Sequence, residues 1–340
     1  MYFRHRRMTP KDLQECVQII EAHPIISARY GAAIDHLRSA WLRLLRAEAV
    51  VARVFEAVEG TQARICFVGV SLFVTDDFIR ELKAPPLFWF GPELAKRIAR
   101  GDSPVLADKA FRDANACGGL NAIVWEGCPH PDFKDESELA RFVLDAYIET
   151  HRGFLLRELI PAQAEGIQRL EFLLKTGAYV WDPDTGRYND SLPCEAFEFL
   201  SKPHLLGVTR ELEDSRGPWG VSWVGKLFEY RPPRCGFSRS EQRLLDVALS
   251  GAASTNEELA RALGVGLPTV KKLWGSIYRR VTDTLAEFSA DASEPDQDES
   301  AQGKEKKRRL LAYIREHPEE LRPVSHERRK SSTSVSRRCN

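Results

Sequence analysis

The sequence has no apolar run that approaches the roughly eighteen residues a membrane-crossing helix requires. Its opening residues, MYFRHRRMTP, are basic, but no apolar segment follows them, so they do not have the composition of a secretory signal. Hydrophobic residues make up 43% of the chain and charged residues 29%, which is typical of a globular protein. These features predict a cytoplasmic protein that does not enter a membrane.

The sequence also lacks the cysteine spacing of a metal site or a disulfide framework. Its seven cysteines are odd in number and scattered, and no C-x-x-C pair occurs among them. This pattern favours buried or free thiols. Cys128 and His130 are close in sequence, but a C-x-H pair alone does not supply the four ligands of a structural zinc site. We therefore predict no metal and no cofactor.

Net charge is absent as well, because 49 Lys and Arg residues balance 49 Asp and Glu residues. The charges are unevenly distributed. Residues 283–299 contain acidic side chains and no Lys or Arg, whereas the stretch from Lys304 onward contains the basic runs KEKKRR, ERRK and SRR. The neutrality of the whole chain therefore does not exclude a basic surface that binds nucleic acid.

Residues 237–281 contain the start and stop signals of three short helices. Ser238 with Glu241, and Ser254 with Glu257, have the spacing of a capping box, in which each side chain accepts a hydrogen bond from the backbone of the other residue. A Leu-Gly-Val-Gly sequence then supplies a tight turn between the second helix and the third. The pattern predicts a compact three-helix unit.

The third of these helices has two different faces. Four apolar residues recur at i, i+4, i+7 and i+11, namely Val270, Trp274, Ile277 and Val281. The opposite face is small or basic and carries Pro268, Lys271, Lys272, Gly275 and Arg279, with Thr269 and Arg280 at its flanks. A helix that enters the DNA major groove needs long basic side chains and a small residue where its backbone comes close. The alternative is a surface helix whose lysines are merely solvated.

Residues 237–281 resemble the LuxR-type helix-turn-helix, in which an S-x-x-E start, an E-E-L-A second helix and an L-G-V-x-x-x-T-V-K-K…I-Y-R-R third helix follow one another. The stretch departs from this family in the length of its GAAST connection, in Gly266 where a serine is usual, and in Leu273 where a histidine is usual. These departures affect which bases are read, not the fold.

The LuxR-type resemblance implies a bacterial transcriptional regulator that binds double-stranded DNA as a homodimer. It implies base contacts from Lys271, Lys272 and Gly275 and phosphate contacts from Thr269 and Arg279, and we add Arg280 to the DNA-binding residues. The helix after Val281 supplies the dimer contact in this family. A sigma-factor-like promoter element is a further alternative, but it requires an upstream promoter-melting domain that the sequence does not show.

The first 190 residues predict the order strand, two helices, hairpin, strand, helix, strand, helix, strand. This order resembles the GNAT acyltransferase fold, with RRMTPKDLQECVQII similar to its first elements and FLLREL…IQRLEFLLKTGAYVW similar to its last. That family binds the pyrophosphate of acetyl-coenzyme A with a Q/R-x-x-G-x-G/A loop. Here the corresponding stretch is EGCPHPDFKDESEL, which has no such loop and contains carboxylates that repel phosphate.

We therefore expect an N-terminal domain used for sensing or protein contact, with a small-molecule or protein effector that the sequence does not identify. An acyl-CoA-dependent N-acyltransferase fused to a DNA-binding domain is the alternative function. Five possible acid or base groups form no motif of required spacing, so no catalytic residue is assigned: His130, Asp132, Glu149, His151 and Asp182.

The length of 340 residues suits two domains, and the expected fold class is α+β. The predicted parts are a GNAT-like α/β domain with a mixed sheet (1–230), an all-α helix-turn-helix domain (236–289), an acidic linker (290–303) and a basic tail, partly helical and partly disordered (304–340). A stiff RPPRCG linker separates the two domains. Three interpretations of the tail stay open: phosphate contacts, docking on the partner subunit of a dimer, or a solvated extension.

Overall fold

The computed structural model describes residues 1–134, 136–164, 174–175, 177–190, 203–216, 224–250, 253, 255–289 and 299–323. These residues form two compact units. The first unit comprises Met1–His151 and the described residues from Leu155 to Glu229, and the second comprises Arg152–Phe154 and the described residues from Tyr230 to Pro323. Helices and a mixed sheet both contribute, so the α+β fold class is confirmed.

The first unit is built on a mixed sheet that has eight strands within the described residues. The strands are β1 (Tyr2–Arg7), β2 (Val51–Glu59), β3 (Gln62–Val74), β4 (Leu120–Pro129), β5 (Leu156–Ala164), β6 (Tyr179–Asp182), β7 (Arg187–Asn189) and β8 (His204–Thr209). Their order across the sheet is β1-β2-β3-β4-β5-β8-β6-β7, and the pairs are antiparallel except for β4 with β5, which are parallel. The predicted β2–β3 hairpin is confirmed.

Nine helices of the first unit lie within the described residues. They are α1 (Leu13–Glu21), α2 (Pro24–Tyr30), α3 (Leu37–Ala47), α4 (Asp76–Lys83), α5 (Phe90–Arg100), α6 (Asp108–Ala116), α7 (Ser137–His151), α8 (Arg210–Ser215) and α9 (Gly225–Phe228). Helix α7 connects the parallel strands β4 and β5, as a parallel crossover requires. The helix that the sequence predicts from 164 to 178 falls largely outside the described residues.

Two local predictions in this unit are wrong. The helical spacing of the apolar residues from Tyr30 to Leu44 predicts a single helix from about Ser27 to Arg46, but the chain forms α2, a 3₁₀ turn over Gly31–His36 and then α3. Gly31 ends α2 with a φ of 48°, a conformation that glycine adopts without steric cost. The strand expected around SWVGKLFEY is replaced, where it is described, by the short helix α9, which buries the adjacent residues Leu227 and Phe228.

The second unit is helical within its described residues. Its helices are α10 (Arg239–Leu249), α11 (Asn256–Leu263), α12 (Leu267–Thr284), α13 (Ala286–Ser289) and α14 (Glu299–Glu316), and a 3₁₀ turn follows at Pro318–Leu321. Among the described residues, no helix of either unit combines the length and the apolar character needed to cross a bilayer.

The helix starts of the second unit confirm one capping box and move the other. The hydroxyl of Ser238 accepts a hydrogen bond from the backbone of Glu241, whose carboxylate accepts one from Ser238 N (2.6 Å). Helix α11 instead uses Thr255 with Glu258, one residue later than predicted, and Ser254 lies outside the described residues. In the helix that begins this way, Leu259 is fully buried.

Helix α14 confirms the basic helix that the sequence predicts over about 304–317 and corrects its start. It begins at Glu299, inside the segment that was predicted as an acidic linker. Leu310 and Ile314 are buried in the same apolar cluster as Leu244 and Leu245 of α10. The interpretation of this region as a solvated extension is therefore wrong for α14, while residues 324–340 lie outside the described residues.

The cysteine prediction holds for four residues. Cys16, Cys66, Cys128 and Cys235 are buried free thiols, and burial raises the pKa of Cys16 and Cys235 to about 12. Cys117 differs, because it is disulfide-bonded. These high pKa values leave the thiols of Cys16 and Cys235 protonated, and therefore unreactive, at neutral pH.

Candidate functional site

Helix α12 is attached to the second unit by the apolar stripe that the sequence predicts. Val270, Trp274, Ile277 and Val281 are all buried and belong to one cluster with residues of α10, α11 and α14. The stripe follows the helical period, so burying it fixes which side of α12 faces outward.

Two glycines form the turn before α12. Gly264 ends α11 with a φ of 67°, in the left-handed region, and Val265 N donates to Ala260 O (3.0 Å). Gly266 then precedes α12 with extended backbone, and the ring of Pro268 sits in the first helical turn. Proline is favoured there because the first turn needs no backbone donor from it. The short connection places the start of α12 close to the end of α11.

The outward side of α12 carries most of the residues predicted to contact DNA. Five of those six residues are exposed: Thr269, Lys271, Lys272, Gly275 and Arg279. They occupy a little over three turns of one helix and include three basic side chains. The structure therefore presents, on a rigid element, a basic surface that contributes nothing to the apolar cluster behind it.

Gly275 lies in the middle of this exposed side. A β-carbon added there would meet no atom within 4 Å, so packing within the chain does not require a glycine. Glycine inside a helix is less stable than alanine by about 1 kcal/mol. A glycine that packing does not need is explained if another molecule approaches the backbone of α12 at this point.

Arg280, the sixth predicted residue, is placed differently. Its side chain is partly buried, and its Nε donates to Oε1 of Glu241 (3.2 Å) in α10. The structure thus places Arg280 against a buried carboxylate, away from the exposed side. Sequence reasoning identified Glu241 as a helix cap only, since its spacing to Ser238 does not show that it also reaches α12.

Glu241 joins the start of α10 to the middle of α12. Only 2% of the residue is exposed. Burial by itself raises the pKa of this carboxyl, but hydrogen bonds from Ser276 and Ser238 and the charge of Arg280 together lower it below its usual value. The carboxylate is therefore ionised at neutral pH and holds the two helices in a fixed relative orientation.

The opposite flank of α12 contacts α14. The rings of Trp274 and Tyr278 stack with centroids 5.7 Å apart. Lys307 Nζ lies 5.2 Å from the Trp274 ring centroid, and Lys306 Nζ lies 5.5 Å from that of Tyr278. These are cation–π distances, so the first half of α14 is held beside α12.

A second buried carboxylate, Glu320, connects the 3₁₀ turn after α14 to the backbone before α10. It is fully buried and accepts hydrogen bonds from the backbone N–H groups of Arg234 (3.0 Å) and Cys235 (2.9 Å). The hydroxyl of Tyr313 in α14 also donates to it (3.2 Å). No sequence signal singled out Glu320, because its partners at 234 and 235 are more than eighty residues away.

The five possible acid or base groups of the first unit belong to different elements. His130 and Asp132 follow β4 and contact Arg64, Asp182 accepts backbone hydrogen bonds in the turn after β6, and the remaining two end α7. Within the described residues, no three His, Cys, Asp or Glu side chains form a group that could hold a metal ion. Their arrangement does not define a catalytic centre.

Buried polar groups that sequence reasoning missed lie on β4 and β5 instead. Glu126 Oε1 accepts hydrogen bonds from the Tyr30 hydroxyl (2.6 Å) and Arg29 Nη2 (2.9 Å). Glu158 on β5 receives Lys83 Nζ at 2.7 Å. The two acids stand alone in apolar strand sequences, so neither has the neighbours that would mark it as functional.

Comparison with known proteins adds no assignment to these two places. The chain matches no protein-family model and gives no significant match to a curated protein. The functions of the exposed basic side of α12 and of the buried carboxylates of the sheet therefore have to be inferred from their chemistry.

Proposed function

We propose that this protein is a sequence-specific DNA-binding transcriptional regulator. Helices α10, α11 and α12 form a helix-turn-helix of the LuxR type, and α12 enters the major groove. The observation that carries the proposal is the exposed side of α12, where Lys271, Lys272 and Arg279 surround Gly275 on a helix whose other side is buried. A basic side chain suits guanine edges and phosphates, and a glycine lets the backbone approach them.

The residues on the exposed side of α12 divide into those that contact bases and those that contact phosphates. Lys271 and Lys272 donate to guanine O6 and N7, while Thr269 and Arg279 bind backbone phosphates. Arg280 acts through Glu241 to hold α12 at its angle to α10, which makes it a positioning residue. Base contacts give sequence preference, whereas the phosphate contacts add affinity that falls with salt.

The proposed active form is a homodimer on a two-fold symmetric site, as the LuxR-type resemblance implies. In the segment after Val281, which supplies the dimer contact in the LuxR-type family, Leu285 and Phe288 are buried within the unit and are not available to a partner subunit. The first unit, with its GNAT-like strand order, serves to bind a small-molecule or protein effector. A bacterial, cytoplasmic regulator is the setting that fits this proposal.

Selection of DNA fragments from a random pool by the full-length protein, at two salt concentrations, tests the proposal. We expect enrichment of a two-fold symmetric motif at both concentrations, because base contacts survive salt that weakens phosphate contacts. Binding that weakens as salt rises and enriches no motif would show that the basic surface is not a sequence reader.

An acyl-CoA-dependent N-acyltransferase is the second candidate function, and one observation favours it. The parallel pairing of β4 with β5 stops at Ile123 and Ile160, although both strands continue. Ligands of α/β sheets bind beyond the carboxyl ends of such strands. Glu126 and Gln163 lie on the continuing portions of the strands and are buried.

Acetyl-coenzyme A distinguishes the two functions. Its pyrophosphate needs backbone N–H groups that the carboxylate-rich stretch after β4 does not offer in the usual glycine loop. We expect saturating acetyl-coenzyme A to leave the melting temperature of the full-length protein unchanged. An upward shift that grows with ligand concentration would favour the acyltransferase.

A further inference from the structure

The most basic segment of the described chain lies across the middle of α14, and Lys306 and Lys307 end the first half of that helix. Residues 304–309, KEKKRR, carry five basic side chains and one acidic one, a net charge of +4. The following turns of the helix bury Leu310 and Ile314. The positive charge is therefore carried by a helix whose position is restricted, because its later turns are buried in the apolar cluster of the second unit.

The structure fixes the position of two of these lysines relative to α12. Lys306 and Lys307 lie over the stacked rings of Tyr278 and Trp274. Lys271 precedes Trp274 by three residues and Tyr278 by seven, so all three share one flank of the helix. Lys306 and Lys307 of α14 thus lie beside the flank of α12 that carries Lys271, next to the side proposed to enter the groove.

This placement suits the DNA backbone more than the base edges. A helix in the major groove is bordered on each side by a phosphate strand, and flanking elements contact that strand. Lys306 and Lys307 are half-buried and their ammonium groups lie over aromatic rings, so less rotational freedom is lost when these groups bind an anion.

We propose that the first half of α14 is a second DNA-binding surface, in which Lys306 and Lys307 bind phosphates of the strand that borders the groove entered by α12. The inference rests on the proposed function, because it assumes that α12 enters the groove. The proposed surface adds a contact with DNA outside the three-helix unit and carries no base specificity. Its role is to raise affinity for any duplex and to steepen the dependence on salt.

The test compares the salt dependence of DNA binding by the full-length protein and by the K306Q/K307Q double variant. Each neutralised phosphate adds roughly 0.9 to the slope of log affinity against log salt, so we expect the slope of the variant to be shallower by about 1.8. Between 50 and 200 mM salt, the unaltered protein then loses about twelvefold more affinity than the variant. The ratio of affinities for the selected site and an unrelated duplex of equal length stays the same.

A matched control removes two charges from the outer side of the same helix. Arg308 and Arg315 are exposed, and the R308Q/R315Q variant is expected to keep the slope of the unaltered protein. K306R/K307R is expected to keep it also. An unchanged slope in K306Q/K307Q, or an equal loss in R308Q/R315Q, would overturn the proposed surface.

Folding and sequence preference are separated by two further measurements. The single variant K306Q leaves the Lys307–Trp274 contact in place and is expected to lower the slope by about 0.9. If this slope did not change in a variant with the melting temperature of the unaltered protein, the proposal would fail. Equal affinity of the unaltered protein for both duplexes would contradict the proposed function, yet a shallower slope in K306Q/K307Q would still support this surface.

Discussion

Replacing Lys271 and Lys272 together with alanine is expected to abolish the preference of the protein for its selected DNA sequence and to leave the fold intact. Both side chains are exposed and lie outside the buried stripe of α12. Each lost pair of base contacts costs about 1 to 3 kcal/mol, so the double variant is expected to bind at least about thirtyfold more weakly. Dissociation constants for the selected site and an unrelated duplex, with a melting curve, measure both effects.

A double variant elsewhere controls for the loss of positive charge. Lys11 and Lys109 are also exposed, and both lie in the first unit. Alanine at these two positions removes the same charge and is expected to preserve the sequence preference. If the Lys271/Lys272 variant kept its preference, or if the control variant lost it equally, α12 would not be the reading element.

Gly275→Ala separates DNA binding from stability on the same side of α12. The added methyl group meets no atom of the chain, and alanine favours the helix, so the free energy of unfolding is expected to rise by up to about 1 kcal/mol. Selective DNA binding is expected to weaken, because the methyl group holds the backbone away from the base edges. A variant that is more stable and binds less well cannot be explained by misfolding.

The largest loss of stability is expected from Glu320→Ala. The substitution leaves the buried N–H group of Cys235 and the partly buried N–H group of Arg234 without their acceptor, and it removes the partner of the Tyr313 hydroxyl. Buried groups that lose a charged partner cost about 1 to 3 kcal/mol each, so we expect a loss of about 3 to 5 kcal/mol from the free energy of unfolding. Denaturant unfolding of the second unit measures it.

Two comparisons show whether the lost carboxylate is responsible. Glu320→Gln keeps one carbonyl oxygen and is expected to lose less stability than Glu320→Ala. Glu316→Ala removes a carboxylate from the exposed end of α14 and is expected to change stability by less than about 0.5 kcal/mol. Stability of Glu320→Ala within that same range would show that the buried contacts contribute little.

The three-helix unit could be predicted from sequence where its signals are local. The buried stripe of α12 follows a period of 3.6 residues, and the first capping box needs only residues three apart. The second box could not be placed, because Ser254 and Thr255 are followed by Glu257 and Glu258, and both pairs have the same spacing. Tertiary burial, not local sequence, selects between two such overlapping boxes.

Contacts between residues distant in sequence could not be predicted. The helical period identifies Leu310 and Ile314 as apolar positions of α14, but it does not show that they are buried in one cluster with Leu244 and Leu245 of α10. The contact of Arg280 with Glu241 spans thirty-nine residues, and composition gives no information about such a pair. In the first unit, Glu126 is part of an apolar strand, and the need for Tyr30 and Arg29 to pair with it becomes visible only in the fold.

The hydrogen bonds of Glu320 also connect the beginning of the second unit's helical region to its end. They join residues 85 and 86 positions apart, so they close a long loop, and that closure costs entropy before any contact is gained. Helices α10 to α12 are complete in the growing chain by residue 284, yet Leu310, Ile314 and Glu320 are synthesised later. A growing chain that has reached residue 284 therefore contains all three helices but not yet the residues of α14 that are buried in their apolar cluster.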